Sequence, residues 1–413
     1  MNLENEFALV GATLIDGNGG PPQKDTTIIA KDGVIHKVAG GKSAIKLDPR
    51  IQQLDFSGKF IMPGLIDSHM HFTGDKSAES ADWIFQPNFL RAIRTVADAQ
   101  KLLDFGFTTV RCCGSRFDIY LKQAIAEGTI TGPRILACGL GICRTGGHGD
   151  IRQDLYELPE ELVDEKMSWA QRCDGVEEIR KAVRKLINQD VDAIKFWMSG
   201  GDNWEKDRND DVHYTIEEAR TVVQEAHMCR LKVAAHCENL RAIKAAIEAG
   251  VDTIEHADVV EGAEPMDKET CQDMVKRNII VVPTLSVYFI PGPWAVETLP
   301  QSALDGYKLA IETGVKFALG TDCFADPVTP YGKYNIGELK LMVDIFDFTP
   351  MQAIASATKI GAEALGIEDK IGTVEEGKLA DLLIIKGNPA ENISVLLNKE
   401  NMEHVIKEGK LIR

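Results

Sequence analysis

Eight short apolar runs, each followed by a loop and a stretch of helical period, recur across about 300 of the 413 residues of this chain. They are FIMPGLIDSH, TTVRCC, RILACGL, DAIKFWM, KVAAHC, DTIEHA, IIVVPTL and KFALGTD. Strands that are apolar throughout are those buried on both faces, and strand–helix alternation builds a parallel sheet covered by helices. Eight such units suit one closed α/β barrel, a domain of about 250 residues. The helix signals agree. Thr215 and Glu218 form a capping box ahead of EEARTVVQEAHM, while Asn239 opens LRAIKAAIEA and Gly250 stops it.

Both ends of the chain read differently. FALVGATLID, TTIIA and VIHKVAG are short strands, the last two joined through Lys31-Asp32-Gly33, where the Asp-Gly pair signals a tight hairpin. From about Ile371, ADLLIIKG and HVIKEGKLIR repeat that character. The expected organisation is a composite β-sandwich domain from residues 1–61 plus 366–413, around a (β/α)8 barrel over 62–365.

Charge excludes whole classes of partner. The formal net charge is -17 and neither end carries a Lys/Arg run, so a nucleic-acid backbone or an anionic membrane would be repelled and a small-molecule substrate is expected. No window reaches about 18 uninterrupted apolar residues, and MNLENEFALV lacks a basic start followed by an apolar stretch, which predicts a cytoplasmic protein. Nine cysteines without a CxxC pair support neither a disulfide framework nor a thiolate zinc site.

The chemistry sits at strand ends. His69 and His71 alternate at the end of the first run, so both imidazoles leave the same face, where they could chelate one metal or serve as ordinary polar positions. His236 ends KVAAHC, His256 ends DTIEHA and Asp322 ends KFALGTD, all at the C-terminal edge where barrel enzymes build their sites. Lys195 lies in the apolar run DAIKFWM, and an unpaired buried ammonium costs several kcal/mol. It is either half of a buried ion pair or a desolvated amine that takes up carbon dioxide to give a carbamate bridging two cations.

PGLIDSHMH, Lys195, His236, His256 and Asp322, in this order on successive strands, resemble the binuclear centre of the amidohydrolase superfamily, and the likeness spans nearly the whole chain. RTGGHGD, AGVDTIEHA, VVPTL, LGTDCF and GTVEEGKLADLLIIKGNP resemble its imidazolonepropionase-related subgroup, which includes Xaa-Pro dipeptidases (prolidases) and related carboxypeptidases. The resemblance implies a distorted (β/α)8 barrel and a homo-oligomer. It also implies that His69, His71 and Asp322 hold the more buried of two divalent ions, usually Zn2+, that His236 and His256 hold the other, and that carboxylated Lys195 bridges them. Such a pair of ions lowers the pKa of a water and polarises a substrate carbonyl, with Asp322 passing the proton to the departing nitrogen.

Other residues could set the substrate. His148 in RTGGHGD is expected, from the resemblance, to reach the substrate carbonyl or its oxyanion. Arg144 in the same loop could fork a carboxylate or make only structural contacts. Trp197 and Glu238 follow Lys195 and His236 by two, so they share their side, whereas Cys237 and Cys323 face away. Glu238 could bind a cationic group or steady a ligand histidine, while Tyr288 and Trp204 could line the pocket. The expected reaction is hydrolysis of the C–N bond of a dipeptide or N-acyl amino acid. A cyclic-amide hydrolase or deaminase is the enzymatic alternative, and an assembly scaffold with a vestigial site is the non-enzymatic one.

Overall fold

The structure, a computed structural model, describes residues 3–40, 46–77, 79–150, 155, 157–201, 207–257, 264–289 and 298–413. Eight parallel strands form the barrel: β1 (Leu65–Asp75), β2 (Phe107–Cys112), β3 (Arg134–Ala137), β4 (Ala193–Trp197), β5 (Lys232–Cys237), β6 (Thr253–His256), β7 (Ile280–Val282) and β8 (Lys316–Phe317). They hydrogen-bond in two arcs, β1 to β3 and β4 to β8, each extended by short strands. Two seams close the ring, Asp192 N–H to the Ala137 carbonyl at 2.7 Å and Ser68 N–H to the Leu319 carbonyl at 2.8 Å.

FIMPGLIDSH and KFALGTD do not run as single continuous strands. FIMPGLIDSH is two strands broken at Gly64, where an added Cβ would lie 2.0 Å from Thr108 Oγ1, so only a bare backbone passes. Its first half, Phe60–Pro63, pairs with Leu382–Ile385 in the terminal sheet, and the domain boundary expected at residue 61 therefore falls inside that strand. KFALGTD keeps strand geometry only over Lys316–Phe317, and Asp322 sits beyond it with φ +54°.

The chain termini meet in one eight-stranded sheet. Val34 bridges back to Leu379, and the sheet has a core of its own that includes Phe7, Leu9, Ile28, Ile61, Leu382 and Ile406. The Asp32-Gly33 hairpin turns through φ +49° and +82°, as a type I′ turn requires.

Helix ends follow the sequence signals. Thr215 and Glu218 make the reciprocal capping box on Ile216–Met228, and Asn239 caps Leu240–Ala249 before left-handed Gly250 at φ +94°. These helices press Ala219, Val222, Ile243 and Ala246 onto the strands that carry His236 and His256. All nine cysteines are free thiols and only Cys229 is exposed; Cys237 and Cys323 lie in the main core. Among the described residues no helix is long and apolar enough to cross a membrane.

Candidate metal centre

Four histidines form a connected row at the C-terminal mouth of the barrel. Ring centroids are 5.4 Å apart for His71 and His69, 5.1 Å for His69 and His256, and 4.5 Å for His256 and His236. Strand alternation directs His69 and His71. His256 and Asp322 are directed by bent backbone instead, at φ +66° and +54°. That left-handed region is costly for residues with a side chain and persists where surrounding structure enforces it. Here Asp322 and Thr321 donate their N–H groups to the His69 carbonyl at 2.7 and 2.9 Å. Asp67 accepts from the His69 N–H at 3.0 Å, the Thr321 hydroxyl at 2.7 Å and the Asn335 amide at 2.6 Å. The loop carrying Asp322 is thereby stitched to the strand carrying His69 and His71.

Each imidazole has one nitrogen engaged by an outer partner. Nδ1 of His69 meets Glu255 at 2.7 Å, Nδ1 of His71 meets the Gly114 carbonyl at 2.9 Å, and Nδ1 of His256 meets the Thr284 hydroxyl at 2.7 Å. For His236 the engaged atom is Nε2, 3.2 Å from the Gly200 carbonyl. A carbonyl oxygen only accepts, so the nitrogen it faces carries a proton and the other nitrogen is the one a metal could take. Burial first, then the neighbouring His148, holds His236 well below the usual imidazole range; burial and then His69 do the same for His256.

The anionic side of the centre is Asp322, with Oδ1 2.9 Å from His71 Nε2 and 3.3 Å from His69 Nε2. Burial would raise its pKa, but the two imidazoles hold it well below the carboxylate range. Lys195 is 1% exposed, its Nζ 3.4 Å from His69 Nε2 and 5.1 Å from the centre of the Trp197 ring. Among the described residues no carboxylate lies within 4.0 Å of that amine. Ligand atoms of His69, His256 and Asp322 lie within 4.8 Å of one another, and so do those of His236, Glu238 and His256. Four imidazoles, a carboxylate and a buried amine form a donor set that fits divalent cations.

The residues expected to contact substrate divide. His148 stacks on His236 with centroids 4.4 Å apart and planes at 22°, and Glu238 Oε1 stands 3.5 Å from His236 Nε2. Trp197 is buried against Gly141 and Gly149, forming a wall over Lys195. Arg144 is half-buried with an unpartnered Nε, and Tyr288 packs on the main core. Trp204 lies outside the described residues.

Sequence reasoning missed the support beneath His69. Arg111 and Glu255 are both fully buried and joined at 2.7 Å, with Arg111 also donating to the Ser68 carbonyl at 2.7 Å and the Thr253 hydroxyl at 3.1 Å. Burial would raise the Glu255 pKa, but Arg111 and then His69 push it below the carboxylate range. The signal was present, since a charge inside TTVRCC or DTIEHA is as anomalous as Lys195 inside DAIKFWM. Trp169, 6.3 Å from the His71 ring, was missed as well, as were Asp207 and Thr284.

Known proteins resemble this chain along most of its length. Residues 60–412 match the model of the amidohydrolase family. Ochratoxinase from Aspergillus niger is 29% identical over 99% of this chain and 87% of its own length. A solved prolidase in complex with N-methylphosphonate-L-proline superposes with TM-score 0.88 at 30% identity, covering 99% of both chains. A solved Xaa-Pro dipeptidase with methionine bound in its active site gives TM-score 0.83 at 31% identity, covering 99% of this chain and 100% of that one. With the barrel, the strand-end histidines and these likenesses together, the chain belongs to the amidohydrolase family, hydrolases that act on C–N bonds.

Proposed function

We propose that this hydrolase cleaves the amide bond of a dipeptide or an N-acyl amino acid at a binuclear metal centre. The observation that carries the reading is the convergence of His69, His71, His236, His256, Asp322 and Lys195 on one barrel mouth, each imidazole with one nitrogen engaged from behind. Similarity to the solved prolidase and the solved Xaa-Pro dipeptidase supports the substrate class. In this reading His69, His71 and Asp322 would hold one ion and His236 and His256 the second, with Lys195, once carboxylated by carbon dioxide, as a ligand to both. A donor set of imidazole and oxygen suits Zn2+. Bound ions would supply an acidified water and a polarised carbonyl.

The chain's own residues do the rest. Asp322 is half-buried, one oxygen against the histidines, and it takes the proton of the attacking water and returns it to the leaving nitrogen, since an amine anion is a very poor leaving group. His148, beside His236, stabilises the oxyanion. Arg144 receives the substrate carboxylate, Trp197 with Trp169 walls the site against the apolar part of the substrate, and Tyr288 closes the pocket after β7. Glu238 steadies His236.

The test is a mass-spectrometric hydrolysis screen of protein prepared with zinc and bicarbonate, against pooled dipeptides, N-acyl amino acids, cyclic amides and amino-heterocycles. Cleavage confined to the first two pools is expected. Activity only on rings would replace this reading with a cyclic-amide hydrolase or deaminase.

A further inference from the structure

Asp207 lies in the loop that follows β4, and its side chain is fully buried. Its Oδ2 is 2.6 Å from Nδ1 of His148 and 3.3 Å from the Gly201 N–H. We propose that Asp207 is the positioning residue of His148: it keeps the imidazole proton on Nδ1 and so turns Nε2 toward the substrate. The inference rests on the oxyanion role given to His148 above.

A neutral imidazole divides its proton between two nitrogens unless a partner chooses, and a carboxylate oxygen that accepts a hydrogen bond selects N–H on the nitrogen it faces. Fixing Nδ1 also fixes the ring about its side-chain torsions, and the stacking of His148 on His236 at 4.4 Å sets the remaining tilt. Nε2 then occupies the edge of the ring that Asp207 does not hold, where it can serve a developing oxyanion.

The loop is built to hold this bond. Ser199 bridges to Val212 and the Gly200 N–H reaches the Asp211 carbonyl at 3.4 Å, so the two limbs of the loop are tied where they leave the barrel. At Gly200 an added Cβ would lie 2.2 Å from the Arg208 carbonyl oxygen, a passage open only to glycine. At Gly201 an added Cβ would lie 2.4 Å from His148 Cε1 and 2.6 Å from its Nδ1, so a methyl group there would push the ring off Asp207. His213, buried with its Nε2 4.0 Å from Asp207 Oδ1, closes the far side; burial and then Arg144 lower its pKa to about 3, so it stands there uncharged.

The test uses the full-length, zinc-loaded protein with 15N-labelled histidine. The His148 signals, assigned by their loss in His148→Ala, should report a single Nδ1–H tautomer that becomes a mixture in Asp207→Asn and in Gly201→Ala. Unchanged His148 signals in both variants would overturn the inference. Kinetics with whichever dipeptide or N-acyl amino acid is cleaved give the second readout. Asp207→Asn should lower kcat by roughly 10- to 100-fold, with KM within about threefold and metal content unchanged, and should add no further loss in the His148→Ala background. A normal kcat in His148→Ala would overturn the oxyanion role and this inference with it. An impaired His148→Ala combined with a normal or additive Asp207→Asn would overturn the Asp207 role alone. Should Asp207→Asn not fold, Asp207→Glu retains the carboxylate and should keep the Nδ1–H signal, and an Nε2–H signal there would refute the proposal.

Discussion

Replacing Glu255 by Gln separates the support of the metal centre from the centre itself. The carboxylate spans His69 Nδ1 and Arg111 Nη2 at 2.7 Å each, and all three side chains are buried. Glutamine has the same shape but offers one acceptor and one donor on that fork. If its oxygen faces Arg111, its amide N–H opposes His69 Nδ1 and drives the imidazole proton to Nε2, the nitrogen a metal requires. If its oxygen faces His69, two donors collide and Arg111 is a buried cation with no anion. Breaking a buried pair in this way costs about 3–5 kcal/mol, and disturbing an outer partner of a ligand histidine costs roughly 10- to 100-fold in metal affinity. Urea unfolding of the metal-free protein reads the first quantity, and competition with a chromophoric chelator reads the second. A stability change below about 1 kcal/mol together with unaltered metal affinity would refute the reasoning.

Three further outcomes are expected. Lys195→Ala should bind one ion per chain in place of two and fail to incorporate label from 13C-bicarbonate; two tightly held ions would remove its bridging role. Gly320→Ala would set a Cβ 2.3 Å from Val282 Cγ1 and 2.9 Å from His69 Cβ, so it should lose about 1–3 kcal/mol in urea melts and weaken metal binding; wild-type values for both would contradict the packing. Glu338 is fully buried beneath the turn at Leu285 and Ser286, and burial pushes its pKa up to about 8 against hydrogen bonds from those residues. The ordinary value is 4.5, so between about pH 4.5 and 8 the unfolded chain has released a proton that the folded one keeps, and rising pH favours unfolding. The stability of the metal-free protein relative to Glu338→Gln should therefore be greatest near pH 4.5 and decline toward pH 8; a flat difference would place the group's folded pKa at its ordinary value.

The barrel was readable because burial on both faces leaves apolar runs that turn signals separate. Residues at the strand ends were readable because period-two alternation orients His69 and His71 without reference to the rest of the fold. Alternation fails at His256 and Asp322, whose positive φ values come from hydrogen bonds and packing with distant segments, so their convergence could be argued only from position at the strand end. Arg111 and Glu255 carried a legible anomaly, a charge in an apolar strand, but their partnership joins residues 144 positions apart and shows only once the ring closes. Asp207 carried no local signal. It sits in a polar loop among other acidic residues, and only the fold brings it to His148.

Titrating zinc into metal-free protein in the presence of bicarbonate, with bound metal and hydrolysis of the substrate found in the screen followed together, addresses the binuclear claim directly. Two equivalents should bind per chain, with hydrolysis rising as the second binds. Binding that stops at one equivalent, with full activity already reached, would contradict it.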